Sequence, residues 1–405
     1  GPPGSPAAEP SPPDPAGPAG SDDPADPAPA PDQPPPPAPD PPPPPVSELT
    51  LVAGGDVLLH TPVLASARTD DGGHDFRPLL APLRPWVAGA DLALCHLEVP
   101  VAPEGTAPSG YPRFGAPAAI ARDLRAHGWD GCSTASNHSL DRGLDGVRST
   151  LEALDDAGLG HAGTARTAEE AAKPQVYELD RSGRTVRVAH LAVTWGTNGI
   201  GVPASAPWAV QLLDADRVVD RATQARADGA DLVVVSVHCC TEYVSEPTAE
   251  QERVATALAA SGEVDLVLGH HAHVPQPLRL LPGGPRGEGV WVAYGLGNLI
   301  SNQDARCCSA RTDSGVLLTV TATVPPEGPV AITGAQWTAV TVDRAGGHRV
   351  HPLPATRLDS PAGALDGAEL TARYERVRAV LGQDAPERVT PATPSGPPPR
   401  VVPRS

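Results

Sequence analysis

Two patterns alternate along most of the chain. Short stretches are apolar at nearly every position: "ELTLVAGGD" (48–56), "DLALCHLE" (91–98), "TVRVAHLAV" (185–193), "ADLVVVSVH" (230–238), "VDLVLG" (264–269) and "VWVAYG" (290–295). Each is a predicted strand, and the unbroken apolar character is that of strands covered on both faces. "WDGCSTASNH" (129–138) reads as a strand running into a loop. Other stretches, at 117–128, 142–158, 214–229 and 248–262, carry apolar residues at helical spacing and close on glycine, as helices do. Residues 76–90 read as helical turns punctuated by proline. Two longer segments, 315–324 and 330–342, alternate apolar and polar positions and so predict antiparallel strands nearer an edge; 367–382 predicts a closing amphipathic helix. Strands separated by helices predict an α/β architecture, without internal repeats.

The two ends break the pattern. Residues 1–46 and 385–405 are dominated by Pro with little apolar side chain, so they read as a disordered acidic tether and a disordered tail around a domain at 47–384. The formal net charge is −18, Lys173 is the single lysine, and no basic stripe is present, which excludes nucleic acid as a partner. No apolar run is long enough to span a bilayer. A chain that starts at Gly, lacks Met and opens on a Pro-rich tether predicts a processed protein of the cell envelope or exterior, secreted or tied to a membrane only through a removed upstream signal or lipid anchor. None of the six cysteines is spaced CxxC, so a thiolate zinc site is not indicated; they are either disulfides or buried thiols.

Chemistry enters at the ends of the predicted strands. Asp56, Glu98, Asn137 with His138, His238, and His271 with His273 all stand there, and ligands of open α/β sheets gather beyond the carboxyl ends of strands. On an extended backbone, His271 and His273 face one pocket while His270 points elsewhere. Taken singly, these residues have plain structural readings: an incidental HxH loop, a hydrogen-bonded His238, a turn-capping Asp56, a solvated Glu98. Together, two carboxylates, an amide and three imidazoles suit two divalent ions such as Mn, Zn or Fe, sharing a bridging carboxylate.

Gly55-Asp56, "LEVP" (97–100), "ASNHSLDRGLDGVRSTLEALDDAG" (135–158), "HCCTEYVSEPTAEQ" (238–251), "GHHAHVPQ" (269–276) and "YGLGNLI" (294–300) occur in an order and spacing that resembles the CapA-like poly-γ-glutamate capsule synthesis family, a branch of the calcineurin-like metallophosphoesterases. The resemblance covers about residues 48 to 325 and implies a four-layer αββα sandwich with two metals at the strand ends. It implies Asp56 as a ligand, Glu98 as the bridging carboxylate, Asn137 on the second metal, and His238, His271 and His273 completing the set. It implies His138 as general acid, with Asp141, Glu242 and Asn298 orienting imidazoles or substrate. Three departures stand out. Leu58 occupies a position where the phosphoesterase pattern has His, and His60 is at the wrong offset, so one metal is expected to be short of ligands. His96 replaces an Asn. Cys239 and Cys240 replace Trp-Gly, and a disulfide from them to Cys307 or Cys308, in a loop expected to roof the site, is the favoured pairing.

The expected activity is hydrolysis or processing of an anionic polymer or phosphoester in capsule assembly, alongside other capsule-assembly proteins, with Arg113, Arg142, Arg306 and Arg311 as candidate anion contacts. One alternative is a non-catalytic scaffold that binds the polymer. The other is metal-dependent acid/base work of an epimerase type on peptides, with His138 and His96 as proton carriers.

Overall fold

The computed structural model describes residues 45–404; all but the last two residues of the expected N-terminal tether lie outside that range. Fifteen strands occur among the described residues. The first five are β1 (Ser47–Val57), β2 (Leu92–Leu97), β3 (Gly131–Ser133), β4 (Gly160–Ala162) and β5 (Gln175–Arg181). Then follow β6 (Arg184–Thr194), β7 (Leu232–His238), β8 (Leu266–His270), β9 (Leu278–Leu281) and β10 (Val290–Ala293). The last are β11 (Asn298–Ile300), β12 (Ser314–Val324), β13 (Ala331–Asp343), β14 (Arg349–Leu353) and β15 (Arg400–Val402).

They form two sheets, one in the order β14-β13-β12-β1-β2-β3-β4 with β11 also on β1, the other in the order β15-β5-β6-β7-β8-β10-β9. The continuously apolar strands run parallel, β1 to β4 in the first sheet and β6 to β8 in the second. The two alternating segments are β12 and β13, which pair antiparallel with each other, β12 also pairing antiparallel with β1.

Side-chain alternation builds the layers. In β1, Leu49, Leu51 and Ala53 enter one core with Val188, Val234 and Leu266 of the second sheet. Val52, between them, faces the other way and packs with Val63, Leu79, Ile120 and Leu124. In the second sheet Ala189, Val233 and Val235 meet Val218, Ala222, Val254 and Leu258 of the helices Ala215–Ala227 and Ala249–Ala260. Helix, sheet, sheet, helix is the expected αββα sandwich. Asp214 caps the first of those helices and a Thr248–Gln251 capping box starts the second, so both begin where the strand ends require them.

The C-terminal segment corrects an expectation. Residues 385–404 are laid against the domain rather than forming a disordered tail. Trp337 Nε1 donates to the Ala385 carbonyl, Ser395 bonds Asp91, and β15 pairs antiparallel with β5. Arg404 is buried, donating to the Thr164 carbonyl and hydrogen-bonded to His161 Nδ1. Proline removes backbone donors but leaves the rest of the chain free to hydrogen-bond with the domain, which composition alone conceals. Among the described residues, no helix is long and apolar enough to cross a membrane.

Candidate metal centre

The carboxyl ends of four parallel strands deliver the site. β1 supplies Asp56, β2 supplies His96 with Glu98 just beyond, β7 ends on His238, and β8 ends on His270 with His271 and His273 following. Asn137 and His138 stand in the loop after β3. All nine are buried. Two glycines allow this convergence. A Cβ on Gly55 would collide with the Gly297 carbonyl oxygen, the same atom that accepts from the Asp56 N–H at 2.8 Å. A Cβ on Gly269 would collide with the Tyr294 carbonyl. Both carry the neighbouring backbone close enough to fix the ligand that follows.

His271 and His273 do bring donor atoms together beside Glu242, but not for the reason expected. Their φ angles are 84° and 58°, so the chain turns through left-handed conformations instead of continuing as a strand. Cys240 and Tyr243, in the loop after β7, have φ of 100° and 64°. Four such non-glycine residues around one centre represent strain that surrounding contacts must hold. The turn also overturns the placement of His270. Its Nδ1 lies 3.3 Å from Asp56 Oδ1, and its ring stacks on His96 at 4.1 Å. The sequence signal for His270 is its place at the end of the apolar run through Gly269, where the other donors also stand on their strands.

Donor atoms gather into four overlapping groups, each within 4.8 Å: Asp56 with His96 and His238; Asp56 with Glu98 and His273; Glu98 with His238 and His271; Glu242 with His271 and His273. Asn137 joins through its Oδ1, 2.9 Å from His238 Nε2. His96 belongs with the donors and not at the substrate: it is fully buried, its Nδ1 on Ser133 Oγ at 2.7 Å and its Nε2 on His238 Nδ1 at 2.9 Å. With His270 it brings extra imidazoles to Asp56, where Leu58 offers none.

The donor set fits cations better than it fits itself. All four carboxylate oxygens of Asp56 and Glu98 are buried without a hydrogen-bond donor, as are both ring nitrogens of His270 and Nδ1 of His271. Buried carboxylates in that condition are unfavourable unless a positive charge supplies the missing interaction. Burial raises the pKa of Asp56, but the imidazoles of His270 and His273 outweigh it and hold the carboxyl very low. Burial and the Asp56 charge push Glu98 well above the carboxylate range. Burial opposes protonation of His273, yet Glu98 and Asp56 raise it to about 10; burial takes His271 down to about 3 and His238 well below its usual value.

Beside the donors lies a cavity of about 430 Å3 lined by Leu58, His60, Tyr111, Phe114, His138, Glu242, Tyr243, His273 and, from one loop, Asn302, Gln303, Cys307 and Cys308. His138 keeps Nδ1 on Asp141 Oδ2 at 2.7 Å, its ring edge-on to Phe114. Asp141 also accepts from the Phe114 N–H, and Asn298 Oδ1 lies 3.1 Å from His273 Nδ1, so each contacts an imidazole. Glu242 sits at the rim, 3.7 Å from His273 Nε2. His60 lines the cavity but accepts the Asn302 N–H on Nδ1.

The four arginines proposed as anion contacts do not line it. Arg142 donates to the carbonyls of Ala107 and Phe114 and holds that loop, Arg306 pairs with Asp304, and Arg113 and Arg311 are exposed elsewhere. Cys307 and Cys308 do border the cavity, as expected of the roofing loop. The disulfides correct the expected link between loops: Cys95 joins Cys132 across neighbouring strands, Cys239 joins Cys240, and Cys307 joins Cys308.

The comparisons agree with this geometry at the level of family. The bacterial capsule synthesis protein PGA_cap family matches residues 50–303. The chain is 25% identical over 265 residues to the capsule biosynthesis protein CapA of Bacillus anthracis, covering 63% of this chain and 60% of that one. It is 28% identical over 172 residues to the PGA biosynthesis protein CapA of Bacillus subtilis, covering 42% of each. The chain thus spans about half the length of the curated relatives it matches. Among solved structures it is similar to the calcineurin-like phosphoesterase YfkN from Bacillus subtilis, with a TM-score of 0.43 and 13% identity over 83% of this chain and 98% of that one. Six motifs in order, their convergence on one centre, and a match over residues 50–303 place this chain in the bacterial capsule synthesis (PGA_cap) family.

Proposed function

We propose that this is a cell-envelope protein that holds two divalent cations and uses them to hydrolyse a phosphoester or process an anionic polymer during capsule assembly. The observation that carries the reading is the pair Asp56 and Glu98, two fully buried carboxylates without hydrogen-bond donors, ringed by imidazoles from β2, β7 and the end of β8. Asp56, Glu98, His96, His238, His270, His271, His273 and Asn137 would hold the metals; Mn, Zn and Fe suit the mixture of N and O donors. Bound there, such cations acidify water and polarise a phosphoryl or carbonyl oxygen.

The chain's own residues supply the rest. Asp141 fixes His138 with Nδ1 toward the carboxylate, leaving Nε2 to give or take a proton at the cavity. Glu242 and Tyr243 border the cavity mouth beside His273 and can orient a substrate hydroxyl or amide. The scaffold alternative gains from one observation: among the described residues, no lysine or arginine lines the cavity, so only bound cations would attract an anionic substrate. Anchoring through an upstream lipid or signal segment belongs to the same reading, as do capsule-assembly partners.

The test is a panel of phosphodiesters and glutamate polymers with Mn2+. Turnover by the wild type should fall roughly 100-fold or more in Asp56→Asn and His138→Asn. Wild-type protein that binds metal yet turns over none of the panel favours the scaffold.

A further inference from the structure

A separate cavity of about 510 Å3 opens between the helices Ala168–Ala172 and Ala215–Ala227 and the segment Pro207–Leu212. Its wall is largely apolar, built on Trp208 and small aliphatic side chains; its charged lining is Arg217, Asp220 and Arg221. Arg217 and Arg221 stand one turn apart on one helix face, where like charges repel. Arg221 is half-buried, and its side-chain hydrogen bond goes to a neutral acceptor, Gln211 Oε1, at 2.6 Å. Gln211 is held for that role, because its Nε2 donates to the Trp208 carbonyl.

Among the described residues, no carboxylate forms an ion pair with either guanidinium within 4.0 Å. The contrast with other sheltered arginines is direct: buried Arg181 pairs with Asp91, and half-buried Arg226 with Asp265. A half-buried cation one turn from a second, exposed cation is unfavourable unless an anion joins them. Burial and the Arg217 charge both disfavour the protonated form of Arg221, which agrees.

We propose that this cavity binds a carboxylate on a short apolar stem, gripped by the guanidinium fork of Arg221 and the charge of Arg217, with the stem against Trp208. Two arginines and Asp220 leave one net positive charge, which matches a single carboxylate better than a phosphate dianion. A planar guanidinium also presents paired N–H groups at the spacing of carboxylate oxygens. The site contains none of the candidate metal ligands, so it does not rest on the reading of the metal centre.

The experiment is calorimetric titration of the full chain, stripped by chelator, with N-acetylglutamate amide, which carries one carboxylate. Saturable one-site binding is expected, weakened roughly tenfold or more in Arg221→Gln. The uncharged N-acetylglutamine amide should not compete. Arg217→Gln, at an exposed position that folding tolerates, should weaken binding several-fold and decides the matter if Arg221→Gln does not fold. Absence of binding, binding unchanged in these variants, or tighter binding of inorganic phosphate than of the carboxylate would each overturn the proposal.

Discussion

Buried imidazoles decide how this protein responds to acid. His190, in β6, is enclosed, with Nε2 on Ser236 Oγ at 2.9 Å, and burial lowers its pKa from 6.5 to about 3. Its folded pKa lies below its unfolded one, so the neutral ring contributes stability that is fully present above 6.5. That contribution drains away as pH falls toward 3. Replacing His190 with Gln, which keeps a partner for Ser236, removes that proton uptake. The slope of unfolding free energy against pH in this window should then fall by about one proton, roughly 1.4 kcal/mol per pH unit. Denaturant titrations from pH 7 down to 4 read the slope directly; an unchanged slope would mean that His190 does not sit buried and neutral. Individual donors at the centre were legible at this same scale because each stands where a strand stops. His96 as a buried donor and His270 as a neighbour of Asp56 were not, since both depend on ring contacts between strands far apart in sequence.

Among the elements, the parallel strands and their helices were readable from apolar continuity and glycine stops. The strands missed by that reading are short or polar. β5 alternates buried and partly exposed residues within "QVYELDR", and β11 and β15 span three residues each. Such strands form because a neighbour is present, not because their own sequence demands it. The turn after β8 escaped for a related reason: His271 and His273 adopt left-handed angles only because the surrounding structure enforces them. Gly269 is the hinge of that arrangement. Gly269→Ala would force the end of β8 away from Tyr294, costing about 1–3 kcal/mol of stability as overpacking does. Metal affinity should fall by more than stability alone explains, since His270, His271 and His273 all follow the displaced residue. Thermal unfolding together with metal titration separates the two effects, and a variant with wild-type affinity would show that the close approach is unimportant.

For the molecule as a whole, the α/β class followed from the apolar continuity of the strands and the αββα layering from the family resemblance, while the path of residues 385–404 followed from neither. Their Pro-rich sequence lacks an apolar face, yet they close the edge of the second sheet and insert Arg404 beside His161. A chain ending at residue 384 should therefore unfold several degrees below the full chain, because it exposes β5 and leaves Asp91 with fewer donors. Equal unfolding temperatures for the two would contradict the ordered path.

The central claim is that strand ends distant in sequence grip cations together. Plasma emission on protein purified without chelator measures this most directly. About two equivalents of a first-row divalent metal per chain are expected in the wild type, with at most one in Asp56→Asn. A folded wild-type protein that carries none, and takes up none when Mn2+, Zn2+ or Fe2+ is supplied, would contradict it.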